Sequence, residues 1–277
     1  MQSVPTPPIR TAVIPCAGEG TRMRPATRAV PKPLLPVIDK PVIQYVVEEA
    51  VAAGIDRVIL VVDERSGDPV IAHFVGPPAL EGMKHVEFVA VEQPKPAGLG
   101  DAVLQARRAV GDEAFLCMVS DRFPVPGRWF ADRMVAAYDG RPVVAVERVG
   151  QDVADRYGFV SIGGPATDGV VEVTGAVEKP GIGKAPSEFA LLGRYVFGPD
   201  IFDELGSLPP GYGDEIQLTD AIDRVARRGG AVGLLVDHVL LDVGLPAGLL
   251  EATAAVGLAR PDLAPEFIAA MRRMLDG

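Results

Sequence analysis

Apolar residues fall into two rhythms along the first half of the chain. Thr11-Ala12-Val13-Ile14-Pro15, Arg57 to Val62 (RVILVV), Val86 to Val91 and Ala114 to Ser120 (AFLCMVS) are apolar runs of strand length. Between them, apolar residues recur at helical spacing. Val42, Ile43, Val46, Val47, Ala50 and Val51 make one stripe, with Asp39 as its expected cap, Pro41 in its first turn and Gly54 at its end. A second helix is expected from Asp101 to Val110. Continuous apolar strands alternating with such helices predict an α/β chain with a buried, mostly parallel sheet.

From Trp129 the pattern loosens. Phe130 to Tyr138 reads as a helix and Pro142 to Val149 as a strand; Tyr157 to Ile162 and Val170 to Val177 read as paired strands with turns at Gly163, Gly164 and Gly169. Ala190 to Phe197 is a further strand, Asp200 to Leu205 a short helix and Gln217 to Arg228 a longer one. Ala231 to Val236 and His238 to Asp242 are predicted strands, and Ala247 to Leu258 and Pro265 to Leu275 predicted amphipathic helices. No repeat or linker interrupts this order. The expectation is a flexible tail over residues 1–9 and a single domain over 10–277.

The stretch Cys16 to Pro36, CAGEGTRMRPATRAVPKPLLP, follows the first strand. Gly18 and Gly20 therefore fall where open α/β sheets bind ligands, at a strand's carboxyl end. Residues Glu19 to Lys40 hold five basic side chains, Arg22, Arg24, Arg28, Lys32 and Lys40, against two acids. Met23 stands where a dinucleotide fingerprint needs its third glycine, the P-loop spacing is absent, and Pro25, Pro31, Pro33 and Pro36 exclude a helix. What is left is a stiff cationic loop suited to a polyphosphate.

Composition sharpens that contrast. The 277 residues carry a formal charge of −10, which disfavours nucleic acid and anionic membrane as partners, so the basic loop is a local exception. Cys16 and Cys117 each end an apolar run and read as buried free thiols, close together if their strands are neighbours. The three histidines have no Cys or His at zinc-ligand spacing. No apolar run reaches the ~18 residues of a membrane span, and MQSVPTPPIR lacks a signal pattern, so a soluble cytoplasmic protein is expected.

Asp121 follows AFLCMVS and Asp242 ends HVLLD. Each alone also fits a residue that caps the next turn. If both strands run parallel to the first, both carboxylates face the basic loop, and two hard oxygens beside a phosphate site suit Mg²⁺. Lys179, between Glu178 and Pro180, is either a turn lysine or an anion ligand. Gly158 and Gly193 sit in strands, marking close backbone approach or a bulge. The acids of Asp214 to Asp220 also suit a helix N-terminus on dipole grounds.

These segments, in this order, resemble the sugar-1-phosphate nucleotidylyltransferases, and their wording is similar to the bacterial UTP:glucose-1-phosphate uridylyltransferase branch. The resemblance rests on the Gly-Thr-Arg-Met-x-Pro-Ala-Thr and Pro-Lys-x-x-Leu-Pro loop, Gln93-Pro94 with Gly98-Leu99-Gly100, Asp121, Tyr157-Gly158, Glu178-Lys179-Pro180, Gly193-Arg194-Tyr195, Gly213 to Asp220, and Asp242-x-Gly244. It implies a Rossmann-like nucleotidyltransferase fold, a mixed, mostly parallel central sheet flanked by helices with an inserted antiparallel sugar-binding subregion. By the same resemblance, Ala17, Gly18, Gly20, Thr21, Gln93 and Gly98 bind the nucleotide, and Arg22 and Lys32 hold its triphosphate. Lys179 takes the sugar phosphate, Tyr157, Gly158, Glu178 and Gly193 line the sugar pocket, and Asp121 and Asp242 bind Mg²⁺.

The implied reaction is attack by a sugar-1-phosphate, glucose-1-phosphate in this branch, on the α-phosphorus of UTP, in an assembly of identical subunits. It needs no protein nucleophile, because the attacking oxygen is already ionised. The chain departs from the family wording in three places. Arg122 follows the presumed metal ligand, Asp101 stands where the family has His, and Leu245-Pro246-Ala247-Gly248-Leu249 replaces a lysine-bearing segment. A thymidylyltransferase is the rival enzyme reading, and a nucleotide-sugar-binding regulatory homologue without turnover is the rival from another class.

Overall fold

The computed structural model describes residues 9–78, 80–237 and 240–276. Of the expected tail only Ile9 is among them, and it is buried. His238 and Val239, the start of one predicted strand, lie outside the described residues. In chain order the strands are β1 (Thr11–Pro15), β2 (Pro36–Val37), β3 (Lys40–Pro41), β4 (Arg57–Val62), β5 (Glu87–Glu92), β6 (Phe115–Met118) and β7 (Arg122–Pro124), then β8 (Val143–Arg148), β9 (Gly158–Ile162), β10 (Val170–Glu178), β11 (Phe189–Phe197), β12 (Ala231–Leu235) and β13 (Leu240–Asp242). The chain divides into two compact units. One is Met1–Gly18, Ala50–Val119 and Phe130–Asp237; the other is Glu19–Glu49, Ser120–Trp129 and His238–Gly277.

The first unit is built on a nine-stranded sheet in the order β5-β4-β1-β6-β11-β8-β12-β10-β9. β5, β4, β1 and β6 pair in parallel, as their apolar runs predict, and β11 and β10 run against the other strands. The sheet is mixed, as expected, with seven of its nine strands running in one direction. A bridge from Ala190 to Phe159 joins β11 to β9, so the last five strands close on themselves. β9 and β10 form the predicted antiparallel pair. Phe115 stacks on Phe202 at 5.1 Å between ring centroids, tying β6 to the helix Ile201–Ser207.

The predicted helix over 101–110 is two shorter ones, Leu99–Gln105 and Arg107–Val110. At Ala106 the turn tightens to three-residue hydrogen bonds, its N–H on the Val103 carbonyl at 3.0 Å and its own carbonyl taking the Ala109 N–H at 2.9 Å. Cys117 is on β6 and Cys16 directly follows the neighbouring β1, but the register sets Cys117 opposite Val13, three residues before Cys16. That offset is roughly 10 Å along a strand, beyond disulfide reach. Both remain buried free thiols, and burial pushes Cys117 up to about 12.

In the second unit, β2 and β3 form a small antiparallel pair and β13 lies antiparallel to β7. Tyr45, on the helix Val42–Ala52, stacks on Phe123 of β7 at 4.6 Å. Asp39, the expected helix cap, instead pairs with Arg260 at 2.5 Å. The cationic loop is not wholly extended. Its prolines exclude a long helix yet leave room for single turns at Thr21–Met23, Ala26–Ala29 and Lys32–Leu34, the last with proline in its first turn. The helices Pro246–Ala259 and Ala264–Leu275 complete the unit. Among the described residues no helix is long and apolar enough to cross a membrane.

Candidate active site

In the first unit, β1 and β4 end side by side. The N–H groups of Cys16 and Ala17 both donate to the Val61 carbonyl, at 2.7 and 3.0 Å, which turns the chain immediately after β1. The next N–H, that of Gly18, donates to Asp63 Oδ2 at 2.9 Å, with Gly18 at φ +125°. The other Asp63 oxygen accepts Ser66 N–H at 2.7 Å, Ser66 O–H at 2.8 Å and Arg65 N–H at 3.1 Å. Burial pushes the Asp63 carboxyl up, but these donors outweigh it and hold the group below the usual carboxylate range. Sequence reasoning passed over Asp63. An acid followed three residues later by Ser at a strand end is the one signal that could have found it.

Gln93 lies just past β5 and is buried. Its Nε2 donates to Asp101 Oδ2 at 2.7 Å and to the Gly98 carbonyl at 3.1 Å. Asp101, the residue that departs from the family wording, thus orients one of the side chains that the resemblance assigns to the nucleotide. Gly98 is required by its neighbour: at φ +104° a Cβ there stands 2.6 Å from the Ile216 carbonyl oxygen.

A second cluster of the same unit gathers the residues assigned to the sugar. The register of β9 and β10 sets Gly158 opposite Glu178. Glu178 Oε2 accepts the Thr219 O–H at 2.6 Å, and its Oε1 is 3.4 Å from Lys179 Nζ. Lys179 is held at φ +43°, its N–H on the Tyr157 carbonyl at 3.2 Å. Lys179 Nζ also sits 4.8 Å from the centre of the Tyr212 ring. Burial and then the charge of Glu178 push the Asp220 carboxyl up. Thr219 and Tyr212 were not singled out from the sequence, although Thr219 lies within the Gly213-to-Asp220 motif.

The register of β11 shifts between Leu191 and Tyr195, around Gly193, a bulge being one of the two alternatives read for it. Gly193 adopts φ +78°, and a Cβ there would overlap Val119 Cγ2. Its carbonyl accepts the Val119 N–H at 2.9 Å.

The second unit holds the remaining assigned residues. Gly20, at φ +59°, gives its carbonyl to the Thr27 hydroxyl at 2.8 Å, and Thr21 and Arg22 lie in the turn that follows. Lys32 Nζ pairs with Asp121 Oδ2. Burial raises the Asp121 carboxyl, but the charge and hydrogen bond of Lys32, then Arg122 and Arg22, outweigh it and keep the group ionised. Asp242 is gripped by Arg122, whose Nη2 and Nε lie 2.9 and 3.3 Å from its Oδ2.

The condition set in the sequence, that the strand leading to Asp242 pair in parallel with the first, is not met, since that strand is not part of the main sheet. It is a three-residue strand paired antiparallel with β7 in a separate two-stranded ribbon, Asp242 opposite Arg122. The two carboxylates meet all the same. A Cβ built at Gly244 lies 2.8 Å from Asp242 Oδ1, 3.4 Å from Lys32 Nζ and 3.5 Å from Asp121 Oδ2. The bare Gly244 backbone is what leaves this space open, and its N–H donates to Asp242 Oδ1 at 2.8 Å. Two carboxylates suit a hydrated Mg²⁺ completed by substrate phosphate. Among the described residues no group of three or more acidic, His or Cys side chains offers an all-protein cage.

Residues 11–257 match the family described as Nucleotidyl transferase. The chain belongs to that family. This nucleotidyl transferase is 37% identical over 280 residues to the UTP–glucose-1-phosphate uridylyltransferase YngB of Bacillus subtilis, covering 94% of each chain. It superposes on a UDP-glucose pyrophosphorylase complexed with UDP-glucose with a TM-score of 0.84 at 32% identity, covering 91% of this chain and 100% of the other. The UTP-bound enzyme of Acinetobacter baumannii gives 0.82 at 33% identity, over 95% and 98% of the two chains.

Proposed function

We propose that this nucleotidyl transferase transfers the uridylyl group of UTP to glucose-1-phosphate, giving UDP-glucose and pyrophosphate. The observation that carries the reading is the meeting of Lys32, Asp121 and Asp242 over Gly244, in a chain that covers nearly the whole length of the B. subtilis uridylyltransferase. A phosphate oxygen of the sugar phosphate forms a bond to the α-phosphorus, and the bond from that phosphorus to the β-phosphate oxygen breaks, so the electron pair leaves with pyrophosphate. Arg22 and Lys32 offset charge on the leaving group. Lys179 offsets the repulsion between the anionic sugar phosphate and UTP, and Glu178, steadied by Thr219, accepts hydrogen bonds from sugar hydroxyls. Magnesium, held by Asp121 and Asp242, supplies charge neutralisation at the phosphates when bound. Alignment and charge then account for catalysis without a covalent intermediate.

The same reading includes a cytoplasmic location and assembly of identical subunits. Ile268, Met271, Met274 and Leu275 are exposed on one terminal helix, which supports the latter. Pyrophosphate release from UTP plus glucose-1-phosphate with Mg²⁺ is the direct test, and no release with any of several sugar-1-phosphates would end the proposal. Release from dTTP in preference to UTP would point to thymidylyl transfer. The grip of Arg122 on Asp242 favours one second reading, a nucleotide-sugar binder with little turnover, for which UDP-glucose raises the melting temperature while no substrate pair reacts.

A further inference from the structure

Tyr212 is an aromatic side chain presented to solvent on a turn that is otherwise tightly tied. Gly211 N–H donates to the Glu215 carbonyl at 2.8 Å and Asp214 N–H to the Gly211 carbonyl at 3.1 Å. The buried Gln217 side chain donates to the Tyr212 carbonyl at 2.9 Å. Gly213 and Asp214 both take left-handed backbone, φ +72° and +62°. For Asp214 that conformation is a cost the surrounding bonds must offset. These bonds fix the backbone that carries Tyr212, a residue that stays 55% exposed.

What the ring faces gives it a use. Lys179 Nζ lies 4.8 Å from its centre, and Lys179 is itself a non-glycine residue in left-handed backbone. An ammonium over the face of a tyrosine is attracted by the ring quadrupole, and more so when water is excluded. Glu178, 3.4 Å from the same ammonium, is also tied to Thr219, so lysine, acid and ring form one cluster.

We propose that Tyr212 is a positioning residue for Lys179, and that through it the ring sets affinity for the sugar phosphate while leaving nucleotide binding unchanged. The inference rests on the reading of Lys179 as the group that receives that phosphate. The ring steers the flexible lysine stem and is desolvated further when a hexose covers it. Retention of the ring, rather than of the hydroxyl, is the requirement.

The test is calorimetric titration of UDP-glucose and of UTP into wild type, Tyr212→Ala, Tyr212→Phe and Lys179→Ala, with steady-state kinetics on the same proteins. Tyr212→Ala should weaken UDP-glucose binding about five- to tenfold and raise KM for glucose-1-phosphate by the same factor, within the range a cation–π contact is worth. UTP affinity and kcat should stay within about twofold, and Tyr212→Phe should behave as wild type. If Tyr212→Ala leaves UDP-glucose affinity unchanged while Lys179→Ala weakens it, the role of Tyr212 is wrong and that of Lys179 stands. If Tyr212→Phe is as impaired as Tyr212→Ala, the hydroxyl and not the ring acts, which also overturns the inference. If Lys179→Ala changes neither UDP-glucose binding nor KM for the sugar phosphate, the Lys179 reading fails and the Tyr212 inference with it.

Discussion

Arg122 places two N–H donors on a single oxygen of Asp242, at 2.9 and 3.3 Å, while the other oxygen takes the Gly244 N–H at 2.8 Å. The arginine side chain is only 10% exposed. Breaking a fully buried pair costs about 3–5 kcal/mol. Asp242 is partly solvated, and a glutamine retains one donor, so Arg122→Gln should cost about half the lower figure. Scanning calorimetry should show the melting temperature falling by several degrees. Freed of a competing cation, Asp242 should also bind metal more tightly, read as Mn²⁺ affinity by proton relaxation. Unchanged Mn²⁺ affinity would mean that Asp242 is not a metal ligand or that Arg122 does not compete for it.

Asp121→Asn separates chemistry from binding. The amide is isosteric and neutral, so it loses the Lys32 ion pair and one hard oxygen, and turnover should fall by about 10²–10³, the range for one preorganised electrostatic group. UDP-glucose binding, followed by calorimetry, should persist. Turnover near wild type would remove Asp121 from the mechanism.

Asp63 gives a pH dependence of known sign. Its folded-state value lies below the ordinary one because Gly18, Ser66 and Arg65 donate to it more strongly than burial opposes. A carboxylate depressed on folding stabilises the protein above its unfolded value, about 3.9, and that contribution is lost as pH falls through the folded value. Urea unfolding of wild type and Asp63→Asn should therefore differ by a constant amount from pH 5 to pH 8. The difference should shrink below about pH 4. A difference that grows in acid would contradict the assignment.

Gly193→Ala meets two obstacles. Left-handed backbone costs an L-residue about 1–2 kcal/mol, and the new methyl overlaps Val119 Cγ2, an overpacking that costs about 1–3 kcal/mol. Equilibrium unfolding should show a loss of about 2–5 kcal/mol. Adding Val119→Ala should recover the steric part alone, and a double-mutant cycle with no coupling would show that the contact carries no energy.

Much of the fold was legible because apolar runs and helical periodicity are local properties of the chain. The runs at Thr11, Arg57 and Ala114 could be satisfied only by burial on both faces, which led to parallel β1, β4 and β6. The long helix expected over 101–110 was less legible, since the tightened turn at Ala106 leaves no mark on the apolar spacing. At the candidate site, the glycines and cations could be named by their order in the chain, whereas their partners could not.

The sequence by itself determined most of the main-sheet strands and the type of the longer helices, which residue types stand at strand ends, and that cations cluster in an acidic chain. Only the tertiary structure decided that Asp242 arrives on a ribbon with Arg122, that Asp63 claims the Gly18 N–H, that Tyr212 covers Lys179, and that Cys117 aligns with Val13 rather than Cys16. Composition and periodicity record how a segment meets water and its own backbone. Register, strand partner and ion pair depend on distant segments, 120 positions apart for Arg122 and Asp242 and 221 for Asp39 and Arg260, and nothing local encodes that choice.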